Sequence, residues 1–350
     1  MYLIKKIEFY KNKLFSYLDK ELDKYKQVFY KYSPSKEEFF NLYKNFLFRG
    51  KAIRGSLVFL TNEIFDKSKI NNENLYLLAS FFEIIHSNFL IHDDFMDKDK
   101  KRRGDKTINF YFEEKVKNNS TDPIHLSNSL AVNLGDIGFF IAFNFFNKIK
   151  TDIESKNKIF HYILTNYIKV ALAQSDDIYY SYSKKQPSLQ LIKRIYLNKT
   201  AYYTFNLPVI ATLMLKNNPL WKNKKLEKIL TNLGFIFQIT DDLIGFLSDK
   251  TGKDIGSDIR ENKKTIIRYF LFEELRNNPL KEFFGKKNLT ISQVKQIREY
   301  YKKSTSRKKI EKLISQIKKQ ILSDLKKTKF PEEFNQLTED FINYLINRNK

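Results

Sequence analysis

The sequence predicts an all-α protein, and three observations carry that expectation. Apolar residues recur at three- and four-residue steps. Leu75, Leu78, Ala79, Phe82, Ile85 and Phe89 form one such series, and Ile159, Ile163, Tyr167, Val170 and Ala171 form another. Alternation of the strand kind is rare. Gly (10) and Pro (7) are scarce among 350 residues, which argues against a turn-dense all-β chain. Breakers are well separated, at 33–35, 118–123, 184–188, 217–219, 248–262 and 277–279. The segments between them suit helices of about 15 to 30 residues, some of them broken in two. The lysine-rich stretch 292–327 keeps Ile, Val and Leu at helical spacing, so it reads as a solvated amphipathic helix. No linker rich in Ser, Gly or Pro divides the chain. It therefore reads as one large domain over residues 1–350, although length alone suggests two or three.

Hydrophobic residues make up 42% and charged residues 29%, a globular balance that excludes wholesale disorder. The chain has no Cys, which removes disulfides, thiolate metal sites and Cys nucleophiles. Its net charge of +23 invites a nucleic-acid reading. The basic residues are mostly Lys, however, spread along a chain also rich in Asn, Ile, Phe and Tyr. These residue types share A/T-rich codons, so compositional drift is the simpler account and no nucleic-acid partner is expected. The first 13 residues lack an uninterrupted apolar core, so no signal peptide is read. No uninterrupted apolar run approaches the ~18–20 residues of a membrane span. The longest, 138–146, contains Asn144 and reads as a buried helix. A cytoplasmic protein is the expectation.

Two acidic clusters stand out. Asp93, Asp94 and Asp97 close a strongly apolar run, 81–91, and positions 93 and 97 share a helix face. Nothing in that run neutralises three carboxylates. Mutual repulsion would raise their pKa values unless cations sit between them. Asp is also a poor residue at a helix C-terminus, where the dipole is negative. Oxygen-only ligation favours a hard cation such as Mg²⁺, which takes one or two carboxylates plus substrate phosphates. The second cluster, Gln238, Asp241 and Asp242, follows the apolar run 229–237 and shares a face at i, i+3 and i+4. Two such clusters, far apart in sequence, suggest opposed walls of one cavity. An ordinary charged helix terminus is the bland alternative for each.

Basic residues accompany the acids: Lys51 and Arg54, Arg102 and Arg103, Lys199 beside Thr200, Lys253, and Lys263 beside Lys264. Singly, each reads more readily as a solvated face. Together they supply the forks and point charges that phosphate binding uses. Lys51 and Arg54 lie on one face if their segment is helical. No GxxxxGK[ST] or GxGxxG loop is present.

From about residue 50 to 265 the sequence resembles the trans-type isoprenyl diphosphate synthases, the family of farnesyl and geranylgeranyl diphosphate synthases. Asp93-Asp94-Phe95-Met96-Asp97 matches the first aspartate-rich motif and continues into Arg102-Arg103-Gly104. Gly50-Lys51-Ala52-Ile53-Arg54 matches GKxxRP, with Gly55 where Pro is usual. His86, Gly135-Asp136, Gln174 with Asp177, Lys199-Thr200 and Phe237-Gln238 match in order. The second aspartate motif, Asp241-Asp242-Leu243-Ile244-Gly245, has Gly in place of its third Asp. It runs on into Thr251-Gly252-Lys253 and Gly256-Ser257-Asp258-Ile259-Arg260, a variant that active members also carry.

The resemblance implies a helical bundle around a central apolar cavity, of the isoprenoid synthase type. It implies Mg²⁺-dependent head-to-tail condensation of isopentenyl diphosphate with an allylic diphosphate (dimethylallyl, geranyl or farnesyl), in a homodimer. About three Mg²⁺ ions are implied with substrate bound. Asp93, Asp97 and Asp241 become direct metal ligands, with Asp94 and Asp242 in support. Arg102, Lys199, Lys253 and Lys263 become contacts of the allylic diphosphate, and Lys51, Arg54, His86 and Arg103 contacts of isopentenyl diphosphate. Thr200 and Gln238 would lie near the carbocation, where oxygen dipoles stabilise positive charge. Asn88 and Phe89 hold the fifth and fourth positions before Asp93, where short-chain members often carry an aromatic, so C15 to C20 products are expected. Two alternatives stay open: a terpene cyclase on the same fold, and a non-catalytic basic helical binding protein. Lys51, Arg54 and His86 argue against the cyclase, which needs no second diphosphate pocket. Intact acidic motifs argue against an inactive subunit.

Overall fold

The computed structural model describes residues 2–32, 36–66, 73–248 and 255–347. The all-α expectation holds. Fifteen α-helices among the described residues are joined by one two-stranded hairpin, two short 3₁₀ turns before the last helices, and one π-helical segment. Contacts divide the chain into two compact units, residues 1–159 with 208–221, and residues 160–207 with 222–350.

The first unit contains α1 (Tyr2–Tyr32), α2 (Lys36–Phe48), α3 (Ile53–Phe65) and α4 (Glu73–Met96). The hairpin β1 (Lys101–Arg102) and β2 (Asp105–Lys106) follows, then α5 (Ile108–Val116) and α6 (Pro123–Asn147). α4 is buried on nearly all sides, with Leu75, Leu78, Ala79, Phe82 and Ile85 among its buried residues and a few polar ones, Glu83 and Asn88 included. It packs on α6, α3, α5 and α1. Asp122 caps α6 by accepting from the His125 N–H at 3.0 Å, and Pro123 sits in the first turn, where its missing N–H costs nothing. The hairpin was not anticipated. Arg103 (φ 55°) and Gly104 (φ 83°) are its two central residues, and a tight turn with both left-handed is the kind that matches strand twist. Arg is an unusual residue there, which hid the turn.

Helix α7 (Ile153–Tyr182) runs on from α6. The second unit holds most of α7, then α8 (Leu189–Tyr196) and the π-helical segment Leu197–Asn206. After α9 (Leu207–Leu215) come α10 (Lys224–Leu247), α11 (Ser257–Arg260), α12 (Ile266–Glu274), α13 (Ile291–Lys303), α14 (Thr305–Lys326) and α15 (Glu332–Asn347). α10 is the hub: it packs on the π-helical segment, α14 and α15. Its Gly234 lets the backbones touch, since a Cβ there would lie 2.4 Å from the Ala201 Cα. The single helix expected over 292–327 is two, α13 and α14. Ser304 separates them, accepting from the Arg307 N–H at 3.3 Å to cap α14.

Two further expectations need correction. The stretch 138–146 is buried on one face only, and Phe140 is 72% exposed. By mean hydropathy over 18-residue windows, Glu73–Met96, Pro123–Asn147 and Lys224–Leu247 are each long and apolar enough to cross a membrane. Single polar residues such as Asn144 interrupt a run without lowering the average enough to matter. The share of each window buried within the protein is 72%, 44% and 50%, respectively.

Candidate active site

The first acidic cluster forms because α4 stops inside it. Lys98 takes a left-handed conformation (φ 57°), the Asp99 N–H bonds the Asp94 carbonyl at 2.9 Å, and the Lys98 N–H bonds that of Phe95. This is a Schellman closure, with Asp97 as the last half-helical residue. The chain then turns through the hairpin and returns Arg102 to the cluster. The Arg102 Nε donates to Asp94, and its Nη2 lies 3.1 Å from Asp93 and 3.5 Å from Asp99. Arg102 thus brings one positive charge to the cluster from within the chain. Three carboxylates hold the Arg102 pKa above its ordinary value. Asp94 is fully buried. Burial, with the charges of Asp93 and Asp99, pushes its carboxyl up to about 7 against the pull of Arg102. Burial, rather than the repulsion expected from sequence, is the largest cause. One Asp94 oxygen, Oδ2, is buried without a hydrogen-bond partner among the described residues.

Beside this cluster lies a cationic group. Lys51 is exposed and precedes α3, which begins at Ile53 after a left-handed Ala52 (φ 50°). The condition for Lys51 and Arg54 to share a helix face is not met, since only Arg54, 6% exposed, is helical. The Arg103 guanidinium reaches the same loop, because a Cβ on Gly50 would stand 3.3 Å from its Nη1. Burial and the charges of Arg102 and Arg54 push Arg103 down to about 10. Burial, then Arg54, Arg103 and Arg102, hold His86 well below the usual imidazole value, so it is neutral at pH 7. Sequence reading missed the one buried acid here, Glu83. It lies three residues before His86, and that spacing was the available signal.

On the α4 face toward α2 and α6, Asn88 is fully buried and accepts from the Tyr43 hydroxyl at 3.0 Å. Gly138 makes room for it, since a Cβ there would meet the Asn88 Oδ1 at 2.1 Å. Phe89 is half-buried and packs edge-on against Phe139, with ring centres 5.4 Å apart.

In the second unit the candidates form a hydrogen-bonded chain. The Ile266 N–H donates to the Tyr196 hydroxyl at 2.9 Å, and that hydroxyl donates to Asp242. Gln238 Nε2 donates to the other Asp242 oxygen at 2.6 Å and accepts from Thr200 through Oε1. Lys199 bonds Asp177 at 2.6 Å. Lys199 and Thr200 sit on the π-helical segment, a geometry frequent at functional sites. Tyr196, also missed from sequence, is buried, and burial with the Asp242 charge holds its hydroxyl well above the ordinary value. Burial, with Asp258 and Asp241 adding repulsion, pushes Asp242 up to about 8. Asp241 is exposed. The missing third aspartate has a neighbour in its place: the Asp258 Oδ2 stands 2.8 Å from where a Gly245 Cβ would be. Lys263 pairs with Glu261 at 3.5 Å. Lys253 lies outside the described residues, as do 251 and 252.

Among the described residues no three acidic or His side chains gather to hold an ion by themselves. The donors are nevertheless all oxygens, and Asp94 Oδ2 is an orphan. That set suits Mg²⁺, which keeps most of its shell for water and substrate phosphate.

The polyprenyl synthetase family matches residues 36–301. A short chain isoprenyl diphosphate synthase of Methanocaldococcus jannaschii is 29% identical over 281 residues, 78% of this chain and 79% of that one. A geranylgeranyl diphosphate synthase of Sulfolobus acidocaldarius is 28% identical over 232 residues, 64% of each. Among solved structures, a geranylgeranyl pyrophosphate synthase of Corynebacterium glutamicum, complexed with isoprenyl diphosphate and magnesium, is similar in fold. Its TM-score is 0.89 at 22% identity, covering 97% of this chain and 98% of that one.

Proposed function

This chain belongs to the polyprenyl synthetase family and is a trans-prenyltransferase that elongates prenyl chains, and on that premise we propose which residues do the work and how far the product grows. The reaction joins isopentenyl diphosphate head-to-tail to an allylic diphosphate. The allylic C–O bond breaks, the isopentenyl double bond attacks the carbocation, and a proton leaves to the departing diphosphate. The observation that carries the assignment is the pairing of an acidic cluster with a separate group of basic residues: Asp93, Asp94 and Asp97 on one side, buried Arg54 with half-buried Arg103 and His86 on the other.

Asp93, Asp97 and Asp241 are the proposed Mg²⁺ ligands. When bound, the metal neutralises the diphosphate as a leaving group, a contribution on the order of several kcal/mol. Asp94 and Asp242 support these motifs from within, Asp94 by holding Arg102 and Asp242 by anchoring Gln238 and Tyr196. Arg102, Lys199, Lys253 and Lys263 are proposed to meet the allylic diphosphate, and Lys51, Arg54, His86 and Arg103 isopentenyl diphosphate. Thr200 and Gln238 present oxygen dipoles to the cation. The match over 36–301 draws on both units, which supports reading them as one catalytic domain. We place the enzyme in the cytoplasm, where both diphosphates dissolve.

Product length is set by Phe89. Asn88 is committed to Tyr43, so Phe89 is the side chain left to stop the growing tail, at C15 to C20. Incubation with isopentenyl diphosphate and each of the C5, C10 and C15 primers, followed by chromatography of the dephosphorylated products, tests activity and length together. Phe89→Ala is expected to lengthen the main product by at least about one isoprene unit, since it removes most of a side chain that buries ~150 Å² or more. An unchanged profile counts against Phe89 as the floor.

A homodimer is proposed from the apolar faces left open. α6 exposes Phe140, and α7 exposes Ile168 (61%), Leu172 (62%), Tyr179 (59%) and Tyr182 (69%) along one helical face. An exposed apolar stripe along one face of α7 marks an interaction site. Leu172→Glu is expected to weaken self-association by about tenfold or more in sedimentation equilibrium, because it buries an unpaired charge. An unaltered mass distribution would remove α7 from the interface.

A further inference from the structure

Helix α3 begins without a cap of its own. Its N-cap residue is Ala52, in the left-handed region and with no side-chain oxygen to offer. The first helical bond runs from the Ser56 N–H to the Ala52 carbonyl at 2.8 Å, so the N–H groups before it need acceptors from elsewhere. Glu83, from the middle of α4, supplies them. Its Oε1 accepts from the Gly55 N–H at 2.8 Å, and the carboxylate also accepts from the Arg54 N–H. Glu83 is 3% exposed.

Two features make the arrangement particular to this chain. Gly55 stands where the resembled motif has Pro, and Pro has no N–H to give. Gly55 also has no Cβ, which would stand 2.4 Å from the Leu14 Cδ2 of α1 and 3.1 Å from the Glu83 Cγ. Absence of a side chain and presence of a donor together let α1, α3 and α4 close on one carboxylate. Burial raises the Glu83 pKa above the ordinary carboxylate value, against the opposing pull of the Arg54 and Arg103 charges. Its hydrogen bonds place it to hold the N-terminus of α3, and Arg54 with it.

We propose that Glu83 is a positioning residue for the isopentenyl diphosphate site: it caps α3 from α4 and so fixes Arg54 for a diphosphate it does not touch. This rests on the substrate assignment above. Two effects oppose each other on its removal. Losing a negative charge favours an anion nearby, whereas losing the cap lets Arg54 drift. Hydrogen bonds to charged groups are the stronger class, so the cap dominates.

The test is steady-state kinetics of the full chain carrying Glu83→Ala, Glu83→Gln or Glu83→Asp, with KM determined separately for isopentenyl diphosphate and for the allylic primer. Glu83→Ala is expected to raise KM for isopentenyl diphosphate about tenfold. kcat and the allylic KM should stay within about threefold of the unaltered chain. Glu83→Gln keeps an acceptor of the same reach and should hold all three parameters within about threefold. Glu83→Asp keeps the charge but withdraws it by one methylene, and should behave like Ala; it serves if the Ala variant does not fold. A fall in KM for isopentenyl diphosphate in both Ala and Gln variants, or equal rises in both KM values, would overturn the proposal. If the unaltered chain transfers no prenyl group, the substrate assignment fails instead. Calorimetric binding of inorganic pyrophosphate without Mg²⁺ then decides for Glu83, by the same order of variants.

Discussion

Asp93→Ala is expected to lower prenyl-transfer turnover by at least about a thousandfold while leaving the thermal unfolding midpoint within a few degrees. The rate figure follows from the several kcal/mol that a Lewis-acid metal supplies to a leaving group, at about 1.4 kcal/mol per tenfold. The stability figure follows from geometry. Asp93 is half-buried, and its carboxylate meets the Arg102 Nη2 at 3.1 Å. When it is removed, Arg102 keeps Asp94 and Asp99, so the hairpin stays docked. Initial rates with labelled isopentenyl diphosphate, alongside circular dichroism melts, give both numbers on one sample. Turnover near that of the unaltered chain would contradict the metal assignment.

Its neighbour should fail in the opposite way. Asp94 is fully buried and receives the Arg102 Nε, and Arg102 itself is largely enclosed. Removing one partner of a buried pair leaves the other charge desolvated, which costs about 3–5 kcal/mol. Asp94→Ala is therefore expected to shift urea unfolding to markedly lower denaturant, and to lose activity because the hairpin undocks. Asp94→Asn keeps an acceptor for Arg102 and should recover more than half of that loss. If Asp94→Ala melts like the parent chain, the pair with Arg102 is not structural.

These two predictions part residues that sequence alone treats as one motif. Periodicity was enough to find the apolar runs of α4 and α10 and the acids that follow each, because a buried helix writes its pattern every three or four residues; α10 itself continues past its acids to Leu247. It was not enough to say which aspartate faces inward: that depends on the Schellman turn at Lys98 and on a hairpin that brings back Arg102. The same limit explains the other differences. Ser304 splits 292–327 through one hydroxyl. Ala52 starts α3 without a capping side chain, and Glu83 compensates from 28 positions along the chain. Tyr196 joins Asp242 across 46 positions. Such contacts belong to tertiary structure, and no local rule encodes them. The motif residues themselves were legible, including the substitution at position 245, whose space Asp258 enters.

The most direct test of the account is the dependence of prenyl transfer on divalent metal in the unaltered chain. Isopentenyl diphosphate and an allylic primer are supplied, bound metal is stripped by chelation, and Mg²⁺ is then titrated back. The account predicts no product in chelator and a saturable return of head-to-tail product with Mg²⁺. Product formed at full rate in chelator, or none at any Mg²⁺ concentration with any of the three primers, would contradict it.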